Sequence, residues 1–299
     1  MIKNDNIVIS QSITKDLGLF VVDDQVYEMD FCPHKVYRKH ILNDYPESSS
    51  EPMMYGKYGE THLLGGSAKG SSQWALPEKK RGGRSVKQDR IDIMIQRLYG
   101  YMQALGIEWS ELNTQVPLIA KYSDHVWIRG EMDIFPVKVN GQVSIVDTKF
   151  TKSIDNIFSS IKEDNIRHST VSCWGAFEDI QKNQPLMYHF LARNFQKTGL
   201  DNLIRYNPEK ADTYSMLFNQ NIDYSDTNFY FLVAGYDVPD ISKQLNHYAY
   251  EWTTARSRLL DHLMETSIRK IQEGIAQEWN TNPKSHLCRG CALRDTCLK

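Results

Sequence analysis

Residues 126–150 read VWIRGEMDIFPVKVNGQVSIVDTKF, a stretch that folds back on itself at Asn140-Gly141. Asn-Gly between two largely apolar runs is the strongest short hairpin signal, because both residues accept the positive φ of a tight turn. Three strands are expected here: Val116 to Tyr122, Val126 to Val139 and Gln142 to Phe150. The hairpin also carries an unusual set of charges, with Gly130-Glu131-Met132-Asp133 on one arm and Asp147-Thr148-Lys149 on the next. Residues two apart on a strand share a face, so Asp147 and Lys149 point the same way. A carboxylate and an ammonium so placed, beside a second strand carboxylate, suit metal-assisted hydrolysis of phosphodiesters. Carboxylates hold Mg²⁺ or Mn²⁺, which favour oxygen ligands. Such an ion polarises the phosphate and lowers the pKa of the attacking water. Lysine can orient that water or stabilise the developing charge. Asp-x-Lys alone is a weak motif, and an ordinary strand with solvent-facing charges is its simplest explanation.

The turn also sets a register. A two-residue loop puts 139 opposite 142, hence 133 opposite 148 and 134 opposite 147. Opposed residues share a face and neighbours alternate, so an unbroken ladder sends Asp133 and Asp147 to opposite faces. A shared cation therefore requires a register shift of one residue. A β-bulge or strand break is expected between Asp133 and Val139, or else a longer loop. Pro136 is the expected place, since proline donates nothing to the ladder and is tolerated at bulges.

Outward from the hairpin, a helix is expected from about Gln184 to Gln196, with Pro185 in its first turn. Gln184 and Tyr188 then share one face at i, i+4. Upstream, Gly56-Lys57-Tyr58-Gly59-Glu60-Thr61-His62 offers a carboxylate and an imidazole on a short helix expected at 56–64. Taken singly these are a core tyrosine with a neighbouring amide, and a solvated glutamate. Ile91 to Leu105 carries helical periodicity, as does Trp252 to Trp279, and NFYFLVAGY at 228–236 suits a buried strand. Residues 1–30 read as short strands or extended chain. The stretch from Gly65 to Val86, with Lys79, Lys80, Arg81 and Arg84, reads as a basic loop that either guides a nucleic-acid strand or is simply solvated.

In order, these motifs run helix with Glu/His, Gly-x-x-Asp, Asp-x-Lys, then Gln-x-x-x-Tyr. That order resembles the RecB-like branch of the PD-(D/E)XK nucleases, including CRISPR-adaptation-associated and phage recombination exonucleases. The resemblance implies an α/β, restriction-endonuclease-like mixed sheet flanked by helices. It implies that Asp133 and Asp147 are metal ligands, with the Thr148 carbonyl as another, and that Lys149 is the catalytic lysine. Glu60, or its neighbour His62, supplies the upstream metal ligand, with Glu60 counted among the catalytic residues. By the same resemblance, Gln184 and Tyr188 would contact DNA or brace the site.

Cysteine usage points to the same family. Cys288, Cys291 and Cys297 crowd the last dozen residues, and Cys32 opens the sequence Cys32-Pro33-His34. Four thiolates suit zinc or iron–sulfur ligation alike. In the family that this resembles, one N-terminal and three C-terminal cysteines hold a [4Fe–4S] cluster that joins the two ends, here about 30–42 and 284–299. Zn²⁺ is the alternative, and His286 could then replace a thiolate. Cys173 reads as a buried apolar residue.

The bulk numbers set the outer limits. A chain of 299 residues with 41% hydrophobic and 24% charged residues is that of a globular protein, read here as one domain over 1–299. No apolar run reaches the length of a membrane span. The start, MIKNDNIVISQS, lacks a secretory layout, which predicts a cytoplasmic protein of a bacterial cell or phage-infected host. A net charge of −2 argues against a protein that merely coats DNA. The expected function is a metal-dependent DNA nuclease, an exonuclease on single strands or duplex ends, with a recombination or replication protein as partner. Two rivals stay open. One is a zinc-stabilised nucleic-acid-binding module without catalysis; the other is an endonuclease or RNA-processing nuclease on the same fold.

Overall fold

The structure, a computed structural model, describes residues 2–3, 6–22, 24–46, 51–64, 86–151, 183–238, 240, 244–280, 288, 291, 293 and 297. Its elements in chain order begin with β1 (Ile2–Lys3), β2 (Asn6–Ile9), α1 (Gln11–Asp16), β3 (Leu19–Val22), β4 (Gln25–Glu28) and α2 (Pro33–Tyr37). Next come α3 (Glu51–Leu64), α4 (Val86–Ala104), β5 (Thr114–Ser123), β6 (Val126–Val139) and β7 (Gln142–Thr151). The chain continues through α5 (Asn183–Arg193), α6 (Phe195–Thr198), α7 (Leu200–Tyr206) and α8 (Ala211–Asn219), and then β8 (Asn228–Gly235), β9 (Leu245–Tyr250) and α9 (Thr254–Ala276).

Seven strands form one mixed sheet, in the order β1-β2-β6-β7-β8-β9, with β5 also paired to β6. The long strand β6 organises it. Along one flank it pairs antiparallel with β5, from Val126 to Ile134. On the other flank it takes two partners in succession, β2 in parallel at Val126 to Ile128 and β7 antiparallel from Ile134 onward. Between them, residues 129–133 have no strand partner on that flank among the described residues. The sheet is open there.

Both faces of the sheet are buried, as expected where helices cover a mixed sheet. One core joins Val116, Ile128, Ile145 and Phe229 to Ile13 of α1, Leu186 and Leu191 of α5, and Leu263 of α9. The other joins Ile134, Val146 and Leu232 to Tyr58 of α3 and to Ile91, Leu98 and Met102 of α4. Helix α9 is capped by the Thr253 hydroxyl, which accepts from the Arg256 N–H. Its buried Lys270 donates at 3.0 Å to the carbonyls of Leu17 and Met29, tying the helix to the ends of the β3–β4 hairpin. Tyr37 stacks on Trp279 with ring centroids 6.2 Å apart, joining the segment after Cys32 to the end of α9.

The expected strands and the long helices are present. Residues 1–30 were expected to be extended; α1 corrects that. It is a six-residue helix, too short for a clear periodic signal, and is held by burial of Ile13 and Thr14. Helices α7 and α8 and the edge strand β9 were not anticipated. Among the described residues no helix is long and apolar enough to cross a membrane.

Candidate active site

The turn at Asn140-Gly141 has φ of 51° and 85° and sets Val139 opposite Gln142, as a two-residue hairpin should. Val137 still faces Ser144, but Ile134 faces Val146. One extra residue has therefore been taken up at Phe135-Pro136, where the register shift was expected. Burial records the same slip: Val126, Ile128, Met132 and Ile134 are buried before it, Val137 and Val139 after it. Continued one residue past Ile134, this register would set Asp133 level with Asp147 rather than Thr148. The pairing of β6 and β7 ends at Ile134. The Thr148 N–H and hydroxyl instead donate to Asp133 Oδ2, at 2.8 and 3.1 Å. Thr148, expected to act through its carbonyl, is thus tied in through its donors.

Helix α5 crosses the open flank of β6. The Tyr188 hydroxyl donates to the Glu131 carbonyl, and the Gln184 amide donates to Asp147 Oδ1. The Gly130 of Gly-x-x-Asp makes this approach possible. A Cβ at that position would lie 2.6 Å from the Tyr188 ring and 3.1 Å from Leu191 Cδ1. Asn183, wholly buried, anchors the start of the helix. Its Oδ1 accepts from the Val21 N–H at 2.7 Å, and its amide donates to the Thr14 hydroxyl and the Leu19 carbonyl at 2.9 Å. Sequence reasoning missed Asn183, because its partners lie more than 160 positions away.

Helix α3 arrives through a second pair of glycines. A Cβ on Gly59 would strike the Phe150 ring at 2.5 Å, and one on Gly56 would come within 3.3 Å of the Phe150 carbonyl. This close seat on β7 presents Glu60 to the hairpin carboxylates. His62 is not brought in. Its Nδ1 lies 2.8 Å from the Tyr58 carbonyl oxygen and its ring lies tilted against that of Tyr58, while Glu60 lies in the charge field of Asp133.

The field is crowded with negative charge. Asp147 is wholly buried. Burial, then the Asp133 charge, pushes its pKa up to about 7, against the opposing pull of Lys149. Glu60 is raised by burial and by Asp133, with Lys57 and Lys149 opposing. Lys149 forms an ion pair with Asp147 Oδ2. Desolvation alone would lower its pKa, but Asp147, Asp133 and Glu60 outweigh it and raise it. Burial and the same carboxylates raise the Tyr188 hydroxyl well above the usual tyrosine range, so it stays a donor. One cation was overlooked in the sequence: Lys57, whose Nζ lies 3.0 Å from Glu60 Oε2. As they stand, Glu60 is paired with Lys57 and Asp147 with Lys149, while Asp133 accepts from Thr148. Among the described residues no three His, Cys, Asp or Glu side chains converge into a group that could hold an ion.

Cys32, Cys288, Cys291 and Cys297 are half-buried. The Cys297 thiol is pushed up by burial and then by the charges of Cys32, Cys291 and Cys288. The Tyr45 hydroxyl lies 3.8 Å from Cys291 Sγ. Cys173, His286 and the basic stretch Lys79 to Arg84 lie outside the described residues.

No protein-family model matches the chain, and no curated protein does. Among solved structures, the chain is similar to the 2.19 Å crystal structure of a protein from Eubacterium rectale described as a candidate exonuclease. The two share 15% identity with a TM-score of 0.53, over 98% of this chain and 88% of the other. At that identity the likeness establishes a shared fold: a central mixed sheet flanked by helices.

Proposed function

We propose that the protein is a metal-dependent DNA nuclease of the RecB-like branch of the PD-(D/E)XK superfamily, acting from strand ends. The observation that carries this reading is the register shift at Phe135-Pro136, which supports placing Asp133 on the face of Asp147 and Lys149, beside an open stretch of β6 among the described residues. A strand needing only stability has no reason to bury a carboxylate among like charges, an arrangement that is costly unless a cation offsets it. Glu60, Asp133 and Asp147 offer hard oxygen donors of the kind Mg²⁺ or Mn²⁺ takes, and the Thr148 carbonyl is a further oxygen of that kind. A bound ion there would polarise the scissile phosphate and lower the pKa of the attacking water.

The protein's own groups have separable tasks. Lys149, kept protonated by its carboxylate neighbours, stabilises charge developing on the phosphate. Gln184 fixes the Asp147 carboxylate, and Tyr188 holds the Glu131 carbonyl, which belongs to the stretch of β6 paired among the described residues on its β5 flank alone. The four thiols of Cys32, Cys288, Cys291 and Cys297 are proposed to ligate a [4Fe–4S] cluster, with Zn²⁺ as the alternative. Their mutual electrostatic reach, evident at Cys297, supports this. DNA is the proposed substrate, and a recombination or replication protein the proposed partner.

The test is cleavage of end-labelled DNA in Mg²⁺ or Mn²⁺. Linear single strands and duplexes should be degraded while covalently closed circles survive. Cutting of circles would show an endonuclease, and RNA degraded in preference to DNA would move the protein to the RNA-processing class.

A further inference from the structure

On the sheet face that carries Asp147, the residues abreast of it form a row. Asp147 of β7 pairs with Phe231 of β8, and Phe231 pairs with Tyr248 of β9, the last strand of the sheet. Paired residues share a face, and strands lie about 4.7–4.9 Å apart, so the row runs about 10 Å from the carboxylate to the sheet edge. The row before it, Ile145, Phe229 and Tyr250, is wholly buried in the main core. Phe231 and Tyr248 are only partly buried and pack against that core from its margin. In the row beyond, Val233 is buried, but the Lys149 side chain is 41% exposed and Asn246 is exposed. Two aromatic rings therefore stand where the core gives way to solvent, beside Asp147 and Lys149. A T-shaped contact with Phe229, centroids 4.7 Å apart, fixes the Phe231 ring, and the Lys149 ammonium lies 5.8 Å from its centroid.

Deepening the nuclease reading above, on which it rests, we propose that Phe231 and Tyr248 form a shelf on which unpaired bases of single-stranded DNA stack beside the reacting phosphodiester. Aromatic rings accept any base, since every base has a π-face, so the shelf takes a single strand without regard to sequence. What adjoins the rings sets the occupant. A nucleotide whose base lies on Phe231 brings its phosphate beside the Lys149 ammonium, so apolar ring and cation serve the two halves of one ligand. Bases inside a duplex are stacked on one another, and their faces are closed to the rings. The shelf thus selects unpaired strand, and the row of paired residues gives its path, from Asp147 across β8 and β9 to the sheet edge.

The experiment uses the full-length protein and its Phe231→Leu, Tyr248→Leu and Tyr248→Phe variants. Leucine keeps apolar bulk against the core and removes only the ring. Binding of a labelled single-stranded oligonucleotide, and of the same strand with abasic sites in place of its bases, is measured by fluorescence anisotropy in EDTA. Wild-type protein should prefer the ordinary strand roughly tenfold or more. Phe231→Leu and Tyr248→Leu should each weaken the ordinary strand roughly five- to tenfold and the abasic strand by less than about twofold. The salt slope should stay unchanged, because no phosphate contact is lost. Tyr248→Phe should bind as wild type does. Partial unfolding of a variant lowers both affinities alike, so the ratio of the two strands reads the shelf by itself. The proposal is overturned if the leucine variants weaken both strands equally or weaken neither. A wild-type protein that binds both strands alike and degrades the ordinary one in Mn²⁺ would remove the shelf and leave the nuclease reading. One that neither binds the ordinary strand nor degrades it in Mn²⁺ would remove both.

Discussion

Adding a single methyl at Gly130 should damage the site without touching any charged group. In Gly130→Ala the new Cβ meets Tyr188 Cε1 at 2.6 Å, and both Tyr188 Cδ1 and Leu191 Cδ1 at 3.1 Å. Carbon atoms rest at about 3.5–4.0 Å, so the ring or the helix must retreat by about 1 Å. Tyr188 is 7% exposed and packed in the main core, which leaves little room for retreat. Overpacking of this kind costs about 1–3 kcal/mol. Any shift of α5 also carries Gln184 away from Asp147, and a misplacement of about 1 Å can cost on the order of 10²-fold in rate. Thermal or denaturant unfolding gives the first quantity, and single-turnover cleavage of end-labelled DNA in Mn²⁺ gives the second. Introduced into a Tyr188→Ala background, the same methyl should cost far less, because the ring it strikes has gone. Gly130→Ala with wild-type stability and a rate within about twofold would refute the packing argument.

Three further outcomes are expected. Asp147 is raised to about 7 by burial and by Asp133, from the ordinary aspartate value of 3.8. The folded form thus binds this proton more tightly than the unfolded form. Its contribution to stability is full below about pH 4 and is lost as pH rises through about 7. Metal-free protein should therefore weaken over that range by unfolding titration, Asp147→Asn should flatten the loss, and Mn²⁺ should stabilise more at about pH 8 than at about pH 5.5. Asn183→Ala leaves the buried Val21 N–H and Leu19 carbonyl without their partner and should cost about 3 kcal/mol in denaturant unfolding; a cost below about 1 kcal/mol would discount its role in anchoring α5. Anaerobically purified protein should be brown with iron in preference to zinc, and Cys32→Ser or Cys291→Ser should lose the colour while Cys173→Ser keeps it; stoichiometric zinc in a colourless protein would overturn the iron–sulfur assignment.

The hairpin was legible because its signals are local. Asn140-Gly141 states its own turn, and the conflict between a two-residue loop and a shared cation required the slip that occurs at Phe135-Pro136. Other features depend on partners far along the chain and leave no local trace. Gly130 and Tyr188 could be noted separately, but only the fold shows that the ring sits on the glycine. The same holds for Gly59 against Phe150, and for Asn183 against Val21 and Leu19. Glu60 and His62 are equivalent candidates on paper; on the helix, His62 turns back to Tyr58. Lys57 was in plain view within the quoted motif. It passed for a solvated charge because spacing alone does not say which face of α3 meets β7.

Asp133, Asp147 and Lys149 are proposed to form one catalytic group. Its most direct test is the rate of Mn²⁺-dependent cleavage of end-labelled DNA by Asp147→Ala and Lys149→Ala proteins, each checked for native folding and DNA binding. Both should bind DNA and retain their fold, yet cleave at least roughly 10²-fold more slowly, since these groups serve the transition state. Full activity in folded Asp147→Ala protein would place the chemistry elsewhere.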